Sequence, residues 1–143
     1  MRAARRWCVV AMAIIASLTA CIAPQTTKMV GVDVRSWRSA ESLIYNNGDT
    51  LSLRDLGIAL RYNTNFKSSA IPLKLVVMTP DSLFFEDSIV LYPRHPRSTI
   101  SVATTECLPY RTDVLLNKKG DYTFTFEPYE EVRGLEALGI DIA

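Results

Sequence analysis

The fold this sequence predicts is all-β: an antiparallel β-sandwich, Ig-like or jelly-roll-like. Three observations predict it. Apolar residues recur with a period of two, not 3.6, along most of the chain. Clusters of Gly, Pro, Asn and Asp break these runs at regular intervals. The result is about seven or eight short strand candidates, the pattern of two packed antiparallel sheets. At 143 residues the chain suffices for one domain and not for two good cores.

The elements follow in order. "SAESLIYN" (39–46) reads as a short helical stretch, and "NNGDT" (46–50) as a turn. "LGIALRY" places Leu56, Ile58, Leu60 and Tyr62 on one face. Leu51 and Leu53 fall in the opposite phase, and a bulge near Arg54–Asp55 reconciles them, because one extra residue flips the faces. "IPLKLVV" aligns Ile71, Leu73, Leu75 and Val77, and "TPDS" (79–82) reads as a hairpin connection. "FEDSIVLY" alternates through Phe85, Ile89 and Leu91, but Asp87 shares their face, so this strand lies at an edge or is open at that point. "YPRHPRS" (92–98) holds two prolines and reads as a loop.

"STISVAT" and "LPYRTDVLL" are further strands, with Pro109 marking a start or an edge. "NKKGD" (117–121) reads as a second hairpin, where Gly120 accepts positive φ. "YTFTF" buries Tyr122, Phe124 and Phe126. "PYEEVRG" is loop or one helical turn, and "LGIDIA" is a terminal strand.

The N-terminus has a different character. Met1 to Arg6 is basic, and "WCVVAMAIIA" (7–16) is apolar for about ten residues, against about twenty for a spanning helix. "SLTAC" follows. That order is a secretory signal, 1–20; an uncleaved anchor is the alternative, since apolar composition continues to Ala23. Leu18, Thr19, Ala20 and Cys21 resemble the bacterial lipobox, in which the cysteine thiolate takes a diacylglyceryl group and becomes the first residue of the mature chain. Each buried methylene contributes about 0.8 kcal/mol, so two or more acyl chains give stable membrane anchoring. Cys21 to Lys28 then forms lipidated cysteine and polar tether, and 29–143 the sandwich domain. Neither Asp nor an acidic run follows Cys21, which points to the periplasm-facing leaflet of the outer membrane.

Charge excludes one partner class. Without Arg2, Arg5 and Arg6 the chain has 13 basic against 15 acidic residues, too mild a balance for nucleic acid. With Cys8 in the leader and Cys21 lipidated, Cys107 stands alone, reads as a small buried residue, and leaves no disulfide framework. His95 has no second His or Cys pair to build a metal or acid–base site with. Glu86–Asp87 and Glu130–Glu131 are adjacent pairs, and neighbours on a strand face opposite sides, so neither is a catalytic dyad. No phosphate-binding glycine loop or nucleophile elbow occurs. The reading is non-enzymatic and cofactor-free. Two candidate contact features remain. Trp37 is an anchor closing one end of the sandwich or an exposed contact. Arg94, His95 and Arg97 form a basic tip, suited to headgroups or an acidic partner if it is more than a solvated loop.

Together the lipobox, Trp37, the "RYN" strand end (61–63), the "PD" turn (80–81) and the block "GDYTFTF…VRGLEALGI" (120–140) give a resemblance. The layout resembles the gliding-motility lipoprotein H family (GldH-like) of Bacteroidota over most of the mature chain. The terminal block is its most specific part. The chain departs from the family pattern between Tyr92 and Pro109, where the family carries a longer Gly-rich stretch. The resemblance implies an envelope lipoprotein, held at the membrane through Cys21 and associated with a gliding or type IX secretion-linked envelope complex. It does not imply motility, and it carries over no catalytic residue. The competing function is a glycan- or small-ligand-binding outer-membrane lipoprotein, which needs an exposed aromatic platform that a single mature Trp does not favour.

Overall fold

The computed structural model describes residues 26–95 and 102–143. They form eight strands: β1 (Thr26–Gly31), β2 (Glu41–Asn47), β3 (Leu53–Asn63), β4 (Ile71–Met78), β5 (Phe84–Leu91), β6 (Ala103–Leu115), β7 (Gly120–Pro128) and β8 (Leu135–Ile142). One sheet has the order β1-β8-β3-β6 and the other β2-β7-β4-β5. Every neighbouring pair is antiparallel. β1 pairs with β8, β2 with β7, β3 with β6 and β4 with β5, which is one long antiparallel ribbon rolled up on itself. This is jelly-roll order, and it decides between the two sandwich types the sequence left open.

The period-two pattern explains why these residues are strands. Leu73 and Leu75 of β4, Phe124 and Phe126 of β7, and Ile58 and Leu60 of β3 are buried, while their sequence neighbours on β4 and β7 are half-exposed. β3 and β8 run in the middle of their sheet and are buried over longer stretches. The register of β3 against β6 slips on both sides of Leu56, next to the expected bulge. At Gly139 a Cβ would overlap the Lys28 carbonyl oxygen and come 2.6 Å from Met29 Cα, so the β1–β8 contact needs glycine.

The strand directions sort the loops into two ends. Thr26, Leu53, Leu115 and Ile142 end the first sheet on the same side. Asn47, Met78, Phe84 and Gly120 end the second sheet there too, joined by the links 48–52 and 116–119. This proximal end carries the start of β1 and the C-terminus. The distal end carries the longer connections and Trp37, which bridges Val132 before β8 begins.

Five expectations are corrected. The segment 39–46 is mostly strand β2, not helix, because Leu43 and Asn47 face in on alternate positions opposite Phe124 and Gly120. "NKKGD" does not close a hairpin but crosses from one sheet to the other. There the Asn47 amide donates to the carbonyls of Leu116 (2.9 Å) and Lys118 (3.0 Å) and fixes the crossing. β1 starts at Thr26, within the stretch read as tether, because Thr26 to Lys28 pair with the last residues of β8. Cys107 is exposed rather than buried, since its neighbours Glu106 and Leu108 take the inward phase of β6. The strands read separately on either side of Pro109 are one, β6, and Pro109 sits where a proline is tolerated, on an edge strand.

Candidate functional site

The rolled ribbon leaves four edge strands, β1 and β6 in one sheet and β2 and β5 in the other. An unpaired edge offers a row of N–H and C=O groups to a partner, and proteins usually blunt it. All four carry some blunting; on β5 it is confined to the acidic pair Glu86 and Asp87, the latter in the inward phase. β6 contains Pro109 and a backbone irregularity at Asp113, where φ is 54° and the amide turns to the Asp55 carboxylate at 3.2 Å. On β2 the Ile44 carbonyl accepts a hydrogen bond from Lys28 Nζ at 3.2 Å. β1 has only six residues. β5 has eight, with no proline, no glycine and no register slip against β4. Among the described residues no strand pairs with its outer side.

The β5 edge also displays apolar surface. Phe84, Phe85 and Val90 are exposed, as is Leu83 in the turn before them. The turn itself is tightly built. The Leu83 amide donates to Thr79 Oγ1 at 3.1 Å, the Ser82 amide donates to the Thr79 carbonyl at 3.0 Å, and Ser82 takes φ 64°.

Asp87, the residue out of place in the sequence pattern, faces the seam between β5 and β6. Its carboxylate accepts from Tyr110 Oη at 2.8 Å and from an Arg111 guanidinium nitrogen at 3.0 Å. The Arg111 guanidinium also lies 5.3 Å from the Tyr110 ring centroid. The three residues clasp the two sheets where no backbone ladder joins them. The Tyr110 and Arg111 hydrogen bonds hold the Asp87 carboxyl below the usual carboxylate range. Burial raises the Tyr110 phenol above its ordinary value. Beside this clasp is a cleft of about 530 Å³ bordered by Phe85, Asp87, Tyr110 and Arg111. Its floor is formed by Leu56, Leu75, Tyr122 and Phe124, each no more than 7% exposed.

The residues singled out from the sequence are placed elsewhere. Leu18, Thr19, Ala20, Cys21 and Arg97 lie outside the described residues. Trp37 is 1% exposed and donates from Nε1 to the Ser39 carbonyl at 2.7 Å, so it is the distal-end anchor and presents no surface to a partner. Arg94 is folded back, with its amide and its Nε on Glu106 and a guanidinium nitrogen on the Cys107 carbonyl at 3.2 Å. Glu106 is buried and also accepts from Tyr62 Oη at 2.9 Å. Burial, then the Glu106 hydrogen bond, push the Tyr62 phenol up to about 12. His95 stacks on Phe66 with centroids 5.2 Å apart and bonds to the Ser68 carbonyl at 2.7 Å, which makes Nε2 the protonated nitrogen. Arg94 and His95 thus hold residues 92–95 against the sandwich.

Glu131 collects Ser36, Arg133 and Arg38, whose hydrogen bonds hold its carboxyl at about 2. Among the described residues no group of three His, Cys, Asp or Glu side chains is placed to hold a metal ion, and no helix is long and apolar enough to cross a membrane. The β5 edge and its clasp were only partly legible in the sequence: Asp87 signalled them, and Phe84, Tyr110 and Arg111 did not. No protein-family model matches the chain, and no curated protein matches it.

Proposed function

We propose that the chain is a non-enzymatic, lipid-anchored cell-envelope protein that docks on an envelope protein complex through the β5 edge. The observation that carries this reading is the eight-residue β5 edge, which no proline, glycine or register slip interrupts among the described residues and which displays exposed Val90. Such an edge accepts a partner strand through main-chain hydrogen bonds, while flanking apolar side chains add affinity. The lipobox at Leu18–Cys21 supports the anchor, and the resemblance to gliding-motility lipoproteins supports a gliding or type IX secretion-linked complex as the partner. Fatty-acid labelling in cells tests the anchor: it is expected in the natural chain and lost in Cys21→Ala, and persistent labelling of the variant overturns it. Chemical crosslinking in the same cells tests the partner. Capture of secretion or gliding envelope proteins, reduced in Val90→Lys, is expected.

A second reading, a glycan- or small-ligand-binding outer-membrane lipoprotein, draws on the seam cleft and its Tyr110–Arg111 wall. Burial of Trp37 removes the one mature tryptophan from any stacking platform. Jelly rolls serve many functions, so the fold does not favour it. Saturable binding of a glycan to the full-length protein, abolished by Tyr110→Ala, would move the assignment to this reading.

A further inference from the structure

The proximal end of the sandwich has an apolar surface of its own. Leu51 in the β2–β3 link is 89% exposed, and Leu53, which follows it, is 61% exposed. Leu83 in the β4–β5 turn and Phe84 beside it are 55% and 67% exposed. These residues come from different parts of the chain, and the strand directions bring them to one end. Single exposed apolar residues need no explanation, but a set gathered at one end does. The distal end differs. Its exposed apolar residues, Val34, Tyr92, Val102 and Tyr129, are valines or carry a hydroxyl, and they share that end with Arg35, Arg38, Arg94 and Arg133.

The same proximal end carries Thr26, the start of β1, opposite Ile142. Cys21 precedes Thr26 by five residues. However those residues are arranged, they span at most about 18 Å. An acylated Cys21 therefore keeps this end within about 18 Å of the membrane. With β8 upright on the membrane, the distal end stands off by about the length of that strand, ~26 Å for eight residues.

We propose that the proximal end docks on the bilayer surface, with Leu51, Leu53, Leu83 and Phe84 entering the boundary between headgroups and acyl chains. This rests on the lipidated Cys21 reading and adds an orientation to it. Amphipathic surfaces settle at that boundary by burying apolar side chains. Two ion pairs lie at this end, Arg54 with Asp49 at 3.1 Å and Lys118 with Asp81 at 4.0 Å, and the side chains proposed to enter the bilayer are all apolar, so salt has little to screen in the contact itself. The docked pose leaves the distal half of β5 standing clear of the membrane, open to a protein partner.

The mature lipidated protein, reconstituted in phosphatidylethanolamine vesicles with brominated acyl chains, tests the pose. L51W and L83W are made separately, both at exposed positions that a larger side chain does not disturb. Native Trp37, buried at the distal end, is the internal control. The expected result is bromine quenching several-fold stronger for the L51W and L83W emission than for Trp37, unchanged in high salt. With acylation of Cys21 verified on the same sample, quenching no stronger than that of Trp37 overturns the pose and leaves the anchor standing. Blue-shifted L51W emission without bromine quenching would show a protein surface there, a second copy included, and would also overturn it. Absence of lipid on Cys21 would overturn anchor and pose together.

Discussion

Replacing Trp37 by alanine separates an anchor from a contact residue. Trp37 is 1% exposed, bridges Val132 and donates to the Ser39 carbonyl at 2.7 Å. A buried tryptophan removes about 150–250 Å² from water, worth about 4–6 kcal/mol at 25 cal/mol per Å². Residual burial in the unfolded chain lowers that figure, and measured truncations of buried aromatics cost about 3–5 kcal/mol. Unfolding entropy of about 2.1 cal/mol/K per residue makes 1 kcal/mol worth about 4 °C in a domain of this size. The expected fall in the unfolding midpoint is therefore about 12–20 °C. The assay is thermal denaturation followed by far-ultraviolet circular dichroism, with urea unfolding as a second measure. A midpoint within about 2 °C of the natural chain would refute the reasoning, since it would mean that less than about 0.5 kcal/mol depends on the ring.

Three further outcomes follow from other sites. Tyr62→Phe removes one of the donors to buried Glu106 but leaves those of Arg94, so the expected loss is about 1–2 kcal/mol by the same thermal assay. Because folding raises the Tyr62 phenol to about 12, its contribution is fully present below about pH 10 and lost as pH rises toward 12; Tyr62→Phe flattens that alkaline limb of the midpoint–pH curve. Gly139→Ala drives a methyl group into the β1 backbone and costs about 3 kcal/mol or more in urea unfolding, whereas Gly48→Ala, with nothing within 4 Å, stays close to neutral. Asp87→Asn loosens the clasp between β5 and β6. Amide hydrogen exchange is expected to speed up along both edges, with a loss of stability below about 1 kcal/mol because the pair is largely exposed. The lowered Asp87 carboxyl gives the natural chain the same loosening in acid: the clasp is intact above the ordinary carboxylate range and lost as pH falls through the lower folded value.

Strand faces were legible in the sequence where one side of a strand meets the core and the other meets water. "IPLKLVV" and "YTFTF" are such strands, and their inward residues are the buried ones. The bulge next to Leu56 was legible because two leucines were out of phase, and the edge position of β5 because a carboxylate was. Connectivity was less so. Turn residues in "NKKGD" specify a change of direction, but which sheet receives the next strand depends on partners far along the chain, and the Asn47 amide that fixes the crossing is one of them. The short window 39–46 holds too few apolar residues to separate helix from strand, and pairing with β7 decides it. The candidate docking edge depends on which strands come last in their sheets, a property of the whole ribbon. Hence the exposure of Phe84 and the meeting of Asp87 with Tyr110 and Arg111 became visible only in the fold.

Site-specific photo-crosslinking in intact cells tests the docking claim most directly. A photoreactive side chain is placed at Ser88 or Val90 on β5 and, for comparison, at Ser42 on β2 of the full-length lipidated protein. The account predicts a defined adduct with a gliding or secretion-linked envelope protein from the β5 positions and none from Ser42. Equal adducts from both strands, or adducts with a glycan transporter, would contradict it.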